Sequence, residues 1–168
     1  AVVIYNIMDP LVHVDYQGNI VPILAESVDV AEDGLSYTFN LRQGVSFHNG
    51  SELTSADVKY TYDFYRDAET GSTIAEDFLN VESVEAPDDY TVVVNMSDVN
   101  AAFLAFGGAT PIVNAAQHQE LGEDIFRTMP IGTGAFKLKE WRAAEFTELE
   151  AFEDHFRGRP GVDILRME

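Results

Sequence analysis

An α+β fold, built on a mixed, mostly antiparallel sheet with short helices, is what these 168 residues predict. An alternating run follows the hairpin dipeptide Asp33-Gly34. A capped amphipathic helix pattern opens at Thr54. Further strand patterns then arrive in adjacent pairs separated by turn residues, and no segment repeats.

The elements follow in chain order. "VVIYNIM" is short and apolar and reads as the end of a helix cut off upstream. Leu11 and Val12 start a strand, and Gln17-Gly18-Asn19 is a turn. After Asp33-Gly34, the side chains of Leu35, Tyr37, Phe39 and Leu41 fall on one face, and Ser36, Thr38, Asn40 and Arg42 on the other. Burying such apolar side chains is worth about 1.5–3 kcal/mol each before entropy, so this strand is core scaffold. Gly44 and Gly50 punctuate the loop that follows. Thr54 and Asp57 have the spacing of a capping box, with Asp in place of Glu. Val58, Thr61, Tyr62 and Tyr65 then line one face of a helix of about three turns. Residues 67–77 are small and polar and read as a loop. "VESVEA" and "YTVVVNM" are strands around a Pro87-Asp88-Asp89 turn. Short helices are expected at 100–106 and 115–121, on either side of the glycine break in "GGATPIVN". "PIGTGAFKLKEW" is a turn feeding a strand, "EFTELEAF" is its hairpin partner, and "RGRPGVDILRM" closes with a turn and a strand.

Composition excludes several functions. There are 29 acidic residues against 10 basic ones, giving a net charge of -19. That field repels nucleic acid and anionic lipid head groups. The acids are dispersed, so they form a solvated surface and not an interaction tail. Only three residues are lysine, and an acid-rich, Lys-poor exterior suits a salt-loving, haloarchaeal host in which screening removes the mutual repulsion. The other reading is an ordinary acidic protein in low salt. With no cysteine, disulfides, thiolate metal sites and a cysteine nucleophile are excluded. No run reaches the roughly 18 apolar residues of a membrane span, and no signal peptide is visible. The chain begins without Met and stops inside a strand pattern, and so reads as an excised piece of a longer protein.

Little in the sequence points to catalysis. Asp88-Asp89 sits in a turn, and Glu148 and Glu150 alternate on a strand face where both should be solvated, so neither pair reads as an acid–base couple. His13, His48, His118 and His155 lack metal-ligand spacing, and no metal site is expected. His155 and Asp154 would face opposite ways on a strand. His48 reads as a loop residue bonded to backbone. Gly132-Thr133-Gly134 lacks the GK[ST] of a phosphate loop and is followed by a strand, so it reads as a tight turn where backbone approaches backbone. No GxSxG elbow occurs. Asn49-Gly50-Ser51 and Asn95-Met96-Ser97 fit glycosylation acceptors, relevant only to an exported chain. Trp141, the single tryptophan, is expected in the core, the other reading being a stacking surface for ligand.

Three ordered blocks carry a resemblance. "VPILAESVDVAEDGLSYTFNLRQGVSFHNGSELTSADVKYTYD", "PIGTGAFKLKEW" and "FRGRPGVDILRM" resemble the signature of the family 5 extracellular solute-binding proteins, the dipeptide-, oligopeptide- and nickel-binding receptors of ABC importers. Together they run across nearly the whole chain. The departures fall at packing positions: Val28 in place of Trp, Ala135 in place of Pro, and His155-Phe156-Arg157 in place of a Tyr-Trp pair.

The resemblance implies part of lobe I of a two-lobed, type II periplasmic-binding-protein-like receptor that closes on its ligand about a hinge. Residues 21–131 would form the small subdomain, and 1–20 and 132–168 pieces of the lobe core. The acidic residue that pairs with a peptide's amino terminus would lie on the second lobe, outside this chain. By position, ligand contacts are expected from Ser72, Thr73 and Asp77, in the loop before the strand pair, and from Gly108, Ala109 and Thr110, in the segment leading back toward the cleft. A backbone ladder there could hold a peptide independently of its sequence, as an added strand does. The implied function is the extracytoplasmic substrate-binding component of an ABC importer that captures di- or oligopeptides, partnered by a membrane permease, without catalysis or cofactor. Its anchor would be a lipidated segment upstream. Sugar or metal-chelate capture is the alternative within the family. A secreted hydrolase domain and a purely structural surface module are the alternatives outside it.

Overall fold

The computed structural model describes residues 3–168. The chain forms two compact units, one of Ala1–Asp9, Gly44–Leu53 and Val113–Glu168, the other of Pro10–Gln43 and Thr54–Ile112.

The second unit is built on a four-stranded antiparallel sheet of β3 (Ala25–Val30), β4 (Ser36–Leu41), β5 (Val81–Asp88) and β6 (Thr91–Met96), in the order β3-β4-β6-β5. A small hairpin, β1 (Val12–Val14) and β2 (Ile20–Pro22), precedes it. The β1–β2 turn is set by Asp15, whose carboxylate accepts the amides of Gln17 and Asn19 at 2.8 Å each. These bonds hold Asp15 below the ordinary carboxylate pKa, the Asn19 side-chain amide contributing most. At the β3–β4 turn Gly34 takes φ +71°, where a Cβ would be strained, and Asp33 accepts the Leu35 amide.

Strand β4 alternates as expected, with Tyr37, Phe39 and Leu41 buried. Leu35, expected to be buried with them, lies outside the strand and is 37% exposed. Its carbonyl still accepts the Met96 amide, so backbone pairing outruns the core by one residue.

Helix α2 (Ser55–Arg66) starts with the reciprocal Thr54–Asp57 capping box. Val58, Thr61 and Tyr62 on its inner face are fully buried, and Tyr65 is partly buried. Tyr62 meets Phe78 and Phe103 edge-on, at 5.1 and 6.4 Å between centroids, and this aromatic cluster is the centre of the unit. Lys59 donates to the Val84 carbonyl and Arg66 to the Glu82 carbonyl, so α2 is tied to β5 by polar as well as apolar contacts.

Local assignments shift in three places. Strand β5 continues through Pro87 to Asp88, so the turn falls later than expected, with the Asp88 carboxylate accepting the Tyr90 amide. The expected helix at 100–106 is only a 3-10 turn, Phe103–Ala105. The 67–77 loop contains a 3-10 turn, Ala68–Thr70, and the start of another, Ala75–Phe78.

The first unit holds α1 (Ile4–Ile7), α3 (Ala115–Leu121), α4 (Glu123–Phe126) and an antiparallel sheet of β7 (Phe136–Arg142), β8 (Phe146–Ala151) and β9 (Ile164–Met167). Asn114 caps α3 by accepting the Gln117 amide at 2.9 Å. Helix α4 has no counterpart in the sequence reading; Gly122, at φ +74°, ends α3 and begins it. His118 and Arg127 both reach Glu123, at 2.6 and 2.7 Å. Burial pushes the Glu123 carboxyl pKa up, but these two partners outweigh it and hold the group below its ordinary value.

Trp141 is not in the core. It is 50% exposed at the far end of β7. Glu148 is only partly exposed and is paired, with Lys139 on β7 at 2.6 Å and Arg166 on β9 at 3.7 Å. Lys139 also lowers the Glu148 pKa, its own being raised in return. Glu150 is paired as well, with Lys137 at 3.2 Å.

Candidate functional site

The six expected ligand residues all lie in the second unit, on two segments. Ser72 sits between the two 3-10 turns, its hydroxyl accepting the Ile74 amide at 3.3 Å. Thr73 is exposed, and Asp77 is partly exposed within Ala75–Phe78. These three residues present hydroxyl and carboxylate groups on a short, tightly turned segment.

The other segment is more enclosed. Gly108 is buried; its amide donates to the Phe103 carbonyl and its carbonyl accepts the Val12 amide. A Cβ on Gly108 would stand 2.7 Å from the Leu104 carbonyl oxygen and 2.9 Å from Val12 Cγ2, so glycine is required there by packing. Thr110 is buried and its hydroxyl donates to the Phe106 carbonyl at 3.2 Å. Ala109 is half-buried between them. No hydrogen bond joins the two segments among the described residues. Large apolar side chains beside them stay exposed, Leu79 after the first and Phe106 before the second. Sequence reasoning passed over both, since exposure of a single apolar residue leaves no periodic signal.

The first unit carries the glycine turn. A Cβ on Gly132 would lie 2.2 Å from the Ile7 carbonyl oxygen, and one on Gly134 would lie 2.4 Å from the Asn6 carbonyl oxygen. The turn is therefore a backbone-on-backbone contact, as the sequence suggested. The His48 ring is also bonded to backbone, with Nε2 at 2.9 Å from the Gly134 carbonyl oxygen. His155 is not on a strand; it lies in the turn after β8, its side chain 8% exposed and 3.9 Å from Asp9. A concavity of about 460 Å³ in this unit is lined by Gln117, Met129, Pro130, Ile131, Leu138 and Trp141, among others. Both candidate glycosylation asparagines make side-chain hydrogen bonds: Asn95 Nδ2 donates to Ser83 and Glu85 within the β-sheet, and Asn49 Oδ1 accepts from Ser51.

Residues 19–168 match the family described as bacterial extracellular solute-binding proteins, family 5 middle. A putative ABC transporter peptide-binding protein of Brucella ovis is 36% identical over 166 residues, covering 94% of this chain and 31% of its own. The oligopeptide-binding protein AppA of Bacillus subtilis is 35% identical over 167 residues. Its structure with a nonapeptide superposes with TM-score 0.88 at 32% identity, covering 96% of this chain and 34% of that one. AgaA, in complex with agropinic acid and from A. tumefaciens R10, superposes at TM-score 0.90 with 30% identity, covering 98% of this chain and 34% of that one. The chain thus spans about a third of the length of the relatives it matches, and its architecture is that of part of a type II periplasmic-binding-protein fold. On these matches, the chain belongs to the family 5 extracellular solute-binding proteins.

Proposed function

We propose that this chain is part of the substrate-binding component of an ABC importer that captures di- or oligopeptides outside the cytoplasmic membrane and passes them, unaltered, to a membrane permease. The observation that carries the reading is the superposition, over nearly the whole chain, on a receptor holding a nonapeptide. Capture would come from closure of two lobes around the ligand. In this reading residues 21–131 are the small subdomain of lobe I, residues 1–20 and 132–168 belong to the lobe core, and the protein is held at the outer membrane face by a lipidated segment upstream. Ser72, Thr73 and Asp77 would offer hydroxyl and carboxylate partners to the peptide. Gly108, Ala109 and Thr110 would offer backbone, a contact that tolerates varied side chains. The acid-rich exterior fits a high-salt host.

Agropinic acid in AgaA favours a second reading, a small solute other than a peptide. A thermal-shift screen of the whole receptor against peptides and small solutes separates the two. A ligand at 100 times its Kd should stabilise the receptor by about 2.7 kcal/mol. A shift with a small solute and none with any peptide would overturn the peptide assignment.

A further inference from the structure

His48 lies in the loop Gly44–Leu53, and its ring faces the glycine turn of the same unit. Nε2 is 2.9 Å from the Gly134 carbonyl oxygen, which can only accept, so Nε2 must carry a hydrogen. Nδ1 receives the Gly132 amide at 3.3 Å, and an amide can only donate, so Nδ1 must carry a lone pair. Only the neutral Nε2–H tautomer satisfies both. The imidazolium carries a hydrogen on each nitrogen and would set Nδ1–H against the Gly132 N–H.

We propose that His48 is a proton-sensitive clasp: neutral, it ties its loop to the glycine turn at both ring nitrogens; protonated, it releases the Gly132 amide.

The surroundings decide where the switch sits. Phe152 covers the ring edge-on at 4.9 Å between centroids. Burial disfavours the imidazolium most, and Lys137 on β7 acts the same way, although Glu150 partly neutralises that lysine. Asp9, just after α1, favours the charged ring. That carboxylate already accepts the Thr133 hydroxyl at 3.0 Å, and His155, 3.9 Å from it, acts on His48 in the same sense as Lys137, against the charged ring. The bond to the Gly134 carbonyl raises the pKa, but the balance leaves His48 below the ordinary histidine value. Release therefore belongs to acid conditions, below a pH of about 6.5. Both glycines of the turn pack so closely on residues 6–8 that neither has room for a Cβ.

The test is made on the intact protein, labelled with ¹⁵N at glycine and histidine. Long-range imidazole correlations at neutral pH should show the Nε2–H tautomer at His48. As His48 titrates, the exchange protection factor of the Gly132 amide should fall roughly three- to tenfold, the range expected for one lost hydrogen bond. The Gly134 amide, which donates to the Ile7 carbonyl, should keep its protection and serves as the internal reference. In His48→Gln the amide can offer both a donor and an acceptor but cannot titrate, so the Gly132 response should vanish. In His155→Phe it should persist. An Nδ1–H tautomer, a Gly132 protection factor unchanged through the His48 titration, or a response that survives His48→Gln or is lost in His155→Phe would overturn the proposal.

Discussion

Replacing Gly134 by alanine puts a methyl carbon 2.4 Å from the Asn6 carbonyl oxygen and 2.6 Å from the Ile7 carbonyl carbon. Comfortable non-bonded contact needs about 3.5 Å, so the two backbone segments must part by on the order of 1 Å. The bond from the Gly134 amide to the Ile7 carbonyl, now 2.9 Å, would then stretch to nearly 4 Å and be lost. Overpacking costs about 1–3 kcal/mol and a stranded backbone pair about 1–3 kcal/mol more, so Gly134→Ala should destabilise the first unit by about 2–5 kcal/mol. Trp141 lies in that unit and is the single tryptophan, so its fluorescence during urea unfolding reports the transition directly. Gly161→Ala is the control: a Cβ there meets nothing within 4 Å, and the unfolding midpoint should hold. A Gly134→Ala protein as stable as the parent would show that close backbone approach is not what demands glycine at this turn.

Two more outcomes follow from single groups and a third from the net charge. The Tyr62 hydroxyl is buried with no protein hydrogen-bond partner among the described residues, and burial raises its pKa. Tyr62→Phe should therefore stabilise the second unit, by about 1 kcal/mol, in thermal or urea unfolding; a loss of similar size would mean the hydroxyl is satisfied. The Glu123 pKa is lowered on folding, so its contribution is present above the unfolded carboxylate value of about 4.5 and is lost as pH falls through the folded one. Glu123→Gln should flatten the acid limb of the stability–pH curve, and an unchanged limb would count against the His118–Glu123–Arg127 cluster. With a net charge of -19, unfolding midpoints should rise with salt across the range that screens surface charge, and a midpoint that falls would contradict the high-salt reading.

Much of the architecture was legible because alternation and capping are local. Tyr37, Phe39 and Leu41 face the core because the pleat puts them there, and Thr54 with Asp57 marks the start of α2. Trp141 misled for a physical reason. It pairs with Thr147 near the hairpin end of β7, where the core has run out. Glu148 misled because its partners, Lys139 and Arg166, come from two different strands, and only cross-strand register brings them together. The candidate site was the least legible part. Ser72, Thr73 and Asp77 sit in short turns with no period to read, and their role came from resemblance, not from pattern.

Capture without conversion leaves its signature in what the receptor retains. The whole receptor is loaded with a peptide mixture, washed, and unfolded, and the released material is weighed by mass spectrometry. The expected result is intact peptide, one per receptor. Cleaved products, or a retained solute that is not a peptide, would contradict it.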